Sequence, residues 1–157
     1  MFSEDIQALY QEMIIDHGRS PRCYGEFDPC DRHMEGFNPV CGDQLTLYMR
    51  RSVDFPWEVQ FTGQGCAISM AATSILLETI KGASEEKMLA IVEAYRAMIL
   101  GESDSNPDIL GKLVVLNGVK AYPSRIKCAT LGCHALKQML MTPTAGHSVS
   151  TECDHHE

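Results

Sequence analysis

Gln44-Leu45-Thr46-Leu47-Tyr48-Met49-Arg50, followed by Trp57-Glu58-Val59-Gln60-Phe61-Thr62-Gly63-Gln64-Gly65-Cys66, decides the fold. In the first run Leu45, Leu47 and Met49 alternate with polar neighbours. In the second, Trp57, Val59 and Phe61 do the same. A period of two marks half-buried strands. Asp54-Phe55-Pro56 between them reads as a turn, so the two strands pair antiparallel. A third strand is expected within residues 31–37. After Gly63-Gln64-Gly65 the period becomes helical, with Ile68, Ala71, Ala72, Ile75, Leu76 and Thr79 on one face. Lys81-Gly82 closes that helix.

Upstream, Ser3 can cap a helix that carries Ile6, Leu9, Tyr10, Met13 and Ile14. His17-Gly18 and the nearby Pro21 stop it. Downstream, Ser84 caps a helix with Met88, Ile91, Val92, Tyr95 and Met98 or Ile99 facing inward, and Gly101 ends it. Residues 102–108 read as an exposed loop, and 113–116 as an apolar run of ambiguous type. Pro123-Ser124 opens a last helix bearing Ile126, Leu131, Leu136, Met139 and Leu140. Sheet first and helices afterwards predicts an α+β fold: a small antiparallel sheet of about three strands packed against several helices. That domain is expected over residues 1–141, with 142–157 a disordered tail.

The formal net charge of the 157 residues is −8, and no stripe of Lys and Arg stands out. This argues against nucleic acid and against an anionic membrane surface as partners. No apolar run is long enough to span a bilayer, and the acidic start lacks a signal-peptide pattern. A cytoplasmic protein is therefore expected. Thiols stay reduced there, so the seven cysteines point to metal or sulfur chemistry rather than a disulfide framework.

Three of them stand in distinctive settings. Cys41 lies in Asn38-Pro39-Val40-Cys41-Gly42-Asp43, Cys66 follows Gly63-Gln64-Gly65, and Cys128 follows Arg125-Ile126-Lys127. In extended backbone Cys41 and Asp43 point to the same side, and Gly42 lets the loop bend. Cys66 is placed at a helix N-terminus, where free N–H groups favour a thiolate. Cys128 is expected in about the first turn of the last helix, with Arg125 and Lys127 adding positive charge. Each alone also reads as a buried core cysteine. Together, three thiolates and a carboxylate make a four-donor set for a soft metal ion. There is no paired Cys-x-x-Cys among these three, no Gly-x-Ser-x-Gly elbow and no glycine-rich phosphate loop.

These motifs resemble the IscU/NifU N-terminal family of iron–sulfur cluster assembly proteins, from the first helix to about residue 140. The resemblance implies an IscU-like fold and one metal or cluster site made by Cys41, Asp43, Cys66 and Cys128. The scaffold-type IscU branch carries a histidine where Lys127 stands. That difference, with the insertion-like stretch from Gly101 to Pro123, resembles the SufU branch. Members of that branch bind Zn²⁺ and accept sulfur from a SufS-like cysteine desulfurase. The resemblance then implies that Cys41 is the persulfide acceptor and Asp43 the exchangeable ligand. It implies a carrier, at most a zinc-dependent sulfurtransferase. Its alternative is a scaffold on the same ligands for a transient [2Fe–2S] cluster passed to apo-proteins. A structural zinc docking module and a thiol hydrolase stand further off. Cys133 replaces an aromatic residue usual in the family and is expected in the core. Cys153, His155 and His156 have no family counterpart and are expected to have no function. Cys23, Cys30, His33 and His134 are expected to be structural or on the surface.

Overall fold

The computed structural model describes residues 4–54, 56–103, 106–142 and 147–150. Helix α1 (Glu4–Arg19) leads to strands β1 (Arg32–Asn38), β2 (Asp43–Arg50) and β3 (Glu58–Gln64). Helices α2 (Ala67–Thr79), α3 (Glu85–Ile99) and the one-turn α4 (Pro107–Leu110) follow. A 3₁₀ helix (Gly111–Ala121), α5 (Pro123–Met141) and strand β4 (His147–Ser150) complete the order.

Strands β1, β2 and β3 form the expected antiparallel meander, with Leu47 opposite Met34 on one side and Phe61 on the other. Leu45, Leu47, Met49 and Phe61 are fully buried on its inner face, as their alternation requires. The sheet order is β3-β2-β1-β4. The last strand corrects the expected tail over 142–157: His147–Ser150 pairs parallel to β1, Met34 standing opposite His147 and Phe37 opposite Ser150. The rest of that stretch beyond Thr142 lies outside the described residues.

Helix α2 is the central rod. Ser69 to Leu77 are all buried, because α1, α5 and the 3₁₀ helix all pack against this helix. A helix apolar around most of its girth has to be enclosed in this way. Helix α5 lies across β1 and β2 and also meets α3. Tyr95 of α3 donates its hydroxyl to the Ala129 carbonyl of α5 at 2.7 Å, deep in that contact. Two expectations change here. Pro107 starts a helix inside the stretch read as loop, capped by the Asn106 side chain on the Asp108 N–H. The ambiguous run at 113–116 is 3₁₀ helix, with Leu113, Val115, Leu116 and Val119 buried.

The junction of α1 and α2 holds a buried polar group. His17, 3% exposed, places Nδ1 2.7 Å from the Ser74 hydroxyl, which also accepts the Arg22 N–H at 2.8 Å. Burial first, and then the Arg22 charge, hold the imidazole pKa below 6.5, against the opposite pull of Glu78 and Asp16. The folded state therefore keeps His17 neutral where the unfolded chain would take a proton. Its stabilising effect is complete above pH 6.5 and is lost as pH falls below it. We predict a drop in the urea unfolding midpoint from about pH 7 to about pH 5, flattened in His17→Gln.

Candidate metal centre

Three corners of the chain meet at one end of the sheet. The first is the β1–β2 hairpin, whose last β1 residue, Asn38, pairs with the first of β2, Asp43. Its loop is closed by the Gly42 N–H donating to the Asn38 carbonyl at 2.8 Å. Gly42 has φ +76°, a left-handed conformation that glycine adopts without strain. Cys41 and Asp43 thus come together in a tight turn, by the bend expected at Gly42 rather than by extended backbone. The turn leaves Cys41 exposed and Asp43 1% exposed.

The second corner is the β3–α2 junction. Cys66 is the N-cap of α2, its sulfur accepting the Ser69 N–H at 3.4 Å. Its own N–H donates to Asp43 Oδ1 at 2.9 Å. Gly65 permits this approach, since a Cβ there would lie 2.6 Å from that carboxylate oxygen. The third corner is α5. Cys128 is its sixth residue, in the second turn rather than the first, and is fully buried.

Cys41 Sγ and Cys128 Sγ are 3.5 Å apart. Among the described residues, Cys41, Asp43 and Cys128 bring one ligand atom each to within 4.8 Å of one another. Four donors bonded to zinc at about 2.3 Å in a tetrahedron stand about 3.8 Å apart, so this donor spacing suits one such ion. Cys66 stands outside the 4.8 Å group, yet its side chain engages Cys128. Burial, followed by contacts with Asp43, Cys41 and Cys66, raises the Cys128 pKa well above the usual cysteine value, so the thiol is protonated. The Arg125 guanidinium is exposed and hydrogen-bonds to Cys128, with Cys66 and Cys41 adding to the field that raises its own pKa. Arg125, expected to add positive charge beside the thiols, therefore stands next to them. Lys127 is exposed on α5.

Sequence reasoning gave Asn38 no role. It is 1% exposed, and its Nδ2 lies 3.5 Å from Asp43 Oδ2 and 3.7 Å from Cys128 Sγ. Its Oδ1 accepts the Val40 N–H at 3.2 Å. Asn before Pro reads as a turn signal, and only the hairpin pairing reveals that this side chain points inward.

The remaining cysteines lie elsewhere. Cys133 is in the core as expected, with burial pushing its thiol up to about 12. Cys23 and Cys30 are half-buried, and burial raises both. His33 and His134 are half-buried as well. Cys153, His155 and His156 lie outside the described residues.

The NifU-like N terminal domain model matches residues 9–129, and the chain belongs to that family. Among curated relatives, the zinc-dependent sulfurtransferase SufU of Bacillus subtilis is 34% identical over 146 residues, spanning 93% of this chain and 99% of that protein. The iron–sulfur cluster assembly scaffold protein IscU of Streptococcus pyogenes is 33% identical over 135 residues, covering 86% of this chain and 84% of that one. A solved structure, FiSufU of the SUF system from Fervidobacterium islandicum, superposes with TM-score 0.78 at 33% identity, over 85% of this chain and 98% of that one. The N-terminal NifU-like protein of Brucella abortus shares the fold, with TM-score 0.72 at 17% identity. It covers 87% of this chain and 94% of its own. Among the described residues no helix is long and apolar enough to cross a membrane.

Two expectations follow. Among the six cysteines of the described residues, alkylation by iodoacetamide in chelator-treated protein, followed by mass spectrometry, will modify Cys41 first and leave Cys128 and Cys133 until last. Asn38→Ala will lower unfolding stability by about 1–3 kcal/mol in urea titrations, because it strips the Val40 N–H of its acceptor and removes the donor aimed at Asp43.

Proposed function

We propose that this chain is a zinc-binding sulfur acceptor in iron–sulfur cluster assembly, taking persulfide sulfur from a SufS-like cysteine desulfurase. The observation that carries this reading is the placement of Cys41. It is exposed on a turn, yet its sulfur lies 3.5 Å from buried Cys128 and within the donor group that includes Asp43. A sulfur in that position can both join an ion and meet a partner. Similarity to a relative named for zinc-dependent sulfur transfer favours zinc.

In this reading Cys41, Asp43, Cys66 and Cys128 hold Zn²⁺. The ion, when bound, keeps the thiols deprotonated near neutral pH, which the burial of Cys128 otherwise opposes. Of the four, Asp43 would be the ligand to yield, because a hard carboxylate matches zinc less well than a thiolate. The Cys41 thiolate attacks the terminal sulfur of the desulfurase persulfide. The donor's S–S bond breaks, the donor cysteine leaves as a thiolate, and Cys41 carries the persulfide. Arg125 offsets the negative charge that three thiolates and a carboxylate concentrate there. Residues 1–141, with strand β4 added at the β1 edge of the sheet, are the working domain, and the cytoplasm, where thiols stay reduced, is its compartment.

A second reading places a transient [2Fe–2S] cluster on the same ligands, as the relatives named IscU scaffolds suggest. The test is alanine release from cysteine by the cognate desulfurase, with and without the zinc-loaded protein under reducing conditions. Strong zinc-dependent stimulation, abolished by Cys41→Ala, supports the sulfur acceptor. Absence of stimulation, with a cluster forming from anaerobic iron and sulfide, would replace it with the scaffold.

A further inference from the structure

Ser69 carries a hydroxyl that is fully buried and has no hydrogen-bond partner among the described residues. A buried oxygen left unpaired is a standing cost, and a native structure that keeps one needs a reason.

The reason lies in the helix start. Ser69 is the third residue of α2 after the N-cap Cys66. In a capping box the N-cap side chain accepts the N–H of the third residue, while the third side chain reaches back to the N-cap N–H. Here the first half is made, with the Ser69 N–H on Cys66 Sγ at 3.4 Å. The second half is not, because the Cys66 N–H is already given to Asp43 Oδ1 at 2.9 Å. Both oxygens lie on the same side of Gly65, the residue before Cys66. A Cβ on Gly65 would sit 2.6 Å from Asp43 Oδ1 and 3.1 Å from Ser69 Oγ.

We propose that Ser69 is the reserve acceptor for the Cys66 amide: when Asp43 withdraws, the serine hydroxyl takes over that N–H and completes the capping box. The inference rests on the reading above, in which Asp43 is the ligand that yields. With Ser69 present, the carboxylate can leave without stranding the half-buried Cys66 donor. With alanine there, its departure orphans the Cys66 N–H, so Asp43 is held in place. Ser69 is thus a positioning residue that sets how easily a coordination place opens, and it touches neither the ion nor the incoming sulfur.

Two measurements on the full chain test this. In metal-free protein, amide hydrogen exchange at Cys66 is followed by NMR in Asp43→Ala, with core amides of α2 reporting that each variant is folded. Adding Ser69→Ala should speed exchange at Cys66 by about fivefold, the low end of what an orphaned amide is worth, and Ser69→Thr in the same background should not. Equal exchange in all three overturns the proposal. In zinc-loaded protein without the Asp43 change, Ser69→Ala should slow zinc transfer to a chromophoric chelator by about tenfold, with Ser69→Thr restoring the rate. An unchanged rate also overturns it. Failure of the parent protein to bind zinc would defeat the metal reading instead, while the exchange at Cys66 still decides whether Ser69 serves that amide.

Discussion

The hydrogen bond from the Cys66 N–H to the Asp43 carboxylate ties together the two corners on which the site depends. One corner is a hairpin turn and the other a helix start, and neither has any local reason to stand against the other. Asp43 is nearly buried, and a carboxylate taken out of water needs donors. The α2 N-terminus supplies one at 2.9 Å and Asn38 points another at it from 3.5 Å. The carboxylate in turn occupies an N–H for which the helix itself has no backbone acceptor. The bond thus meets a need on each side, and it fixes the distance between Cys41 and Cys66 before α5 adds Cys128.

Burial and charge act in opposite directions on the thiols. The inner side of the site is dry enough to keep Cys128 protonated. The outer side carries Cys41 on an exposed turn with Arg125 at the rim. A thiol protonated before an ion arrives is common to structural and exchangeable sites alike, so what sets this one apart is the exposed sulfur at its front. It suits a centre where one ligand faces outward.

Much of this was legible in the sequence because it is local. The alternation at Leu45, Leu47 and Met49 gave the strand and its inner face, and Cys66 was placed at a helix start by the glycines before it. The 3₁₀ helix was ambiguous because Leu113 to Leu116 is apolar without a decisive period. Strand β4 was missed because His147–Ser150 has no alternating pattern; it is a strand by virtue of the β1 edge beside it. Asn38 and Ser69 were overlooked for a different reason. Polar residues in a turn or a helix first turn are usually satisfied locally, and what marks these two is a partner, or the lack of one, set by segments far along the chain.

Residues 41, 43, 66 and 128 come from opposite ends of the folding problem. The hairpin and the β3–α2 corner need only the middle of the chain, whereas Cys128 reaches its place only after α5 has crossed β1 and β2. During synthesis, a chain that has emerged only as far as α3 offers three of the four donors and no enclosed site. An ion that binds the finished fold but not the unfinished one stabilises it by about 2.7 kcal/mol at a hundredfold excess over its Kd. If these four residues form the proposed site, loading is coupled to the arrival of α5: the order of residues along the polypeptide makes that helix the step that completes the donor set.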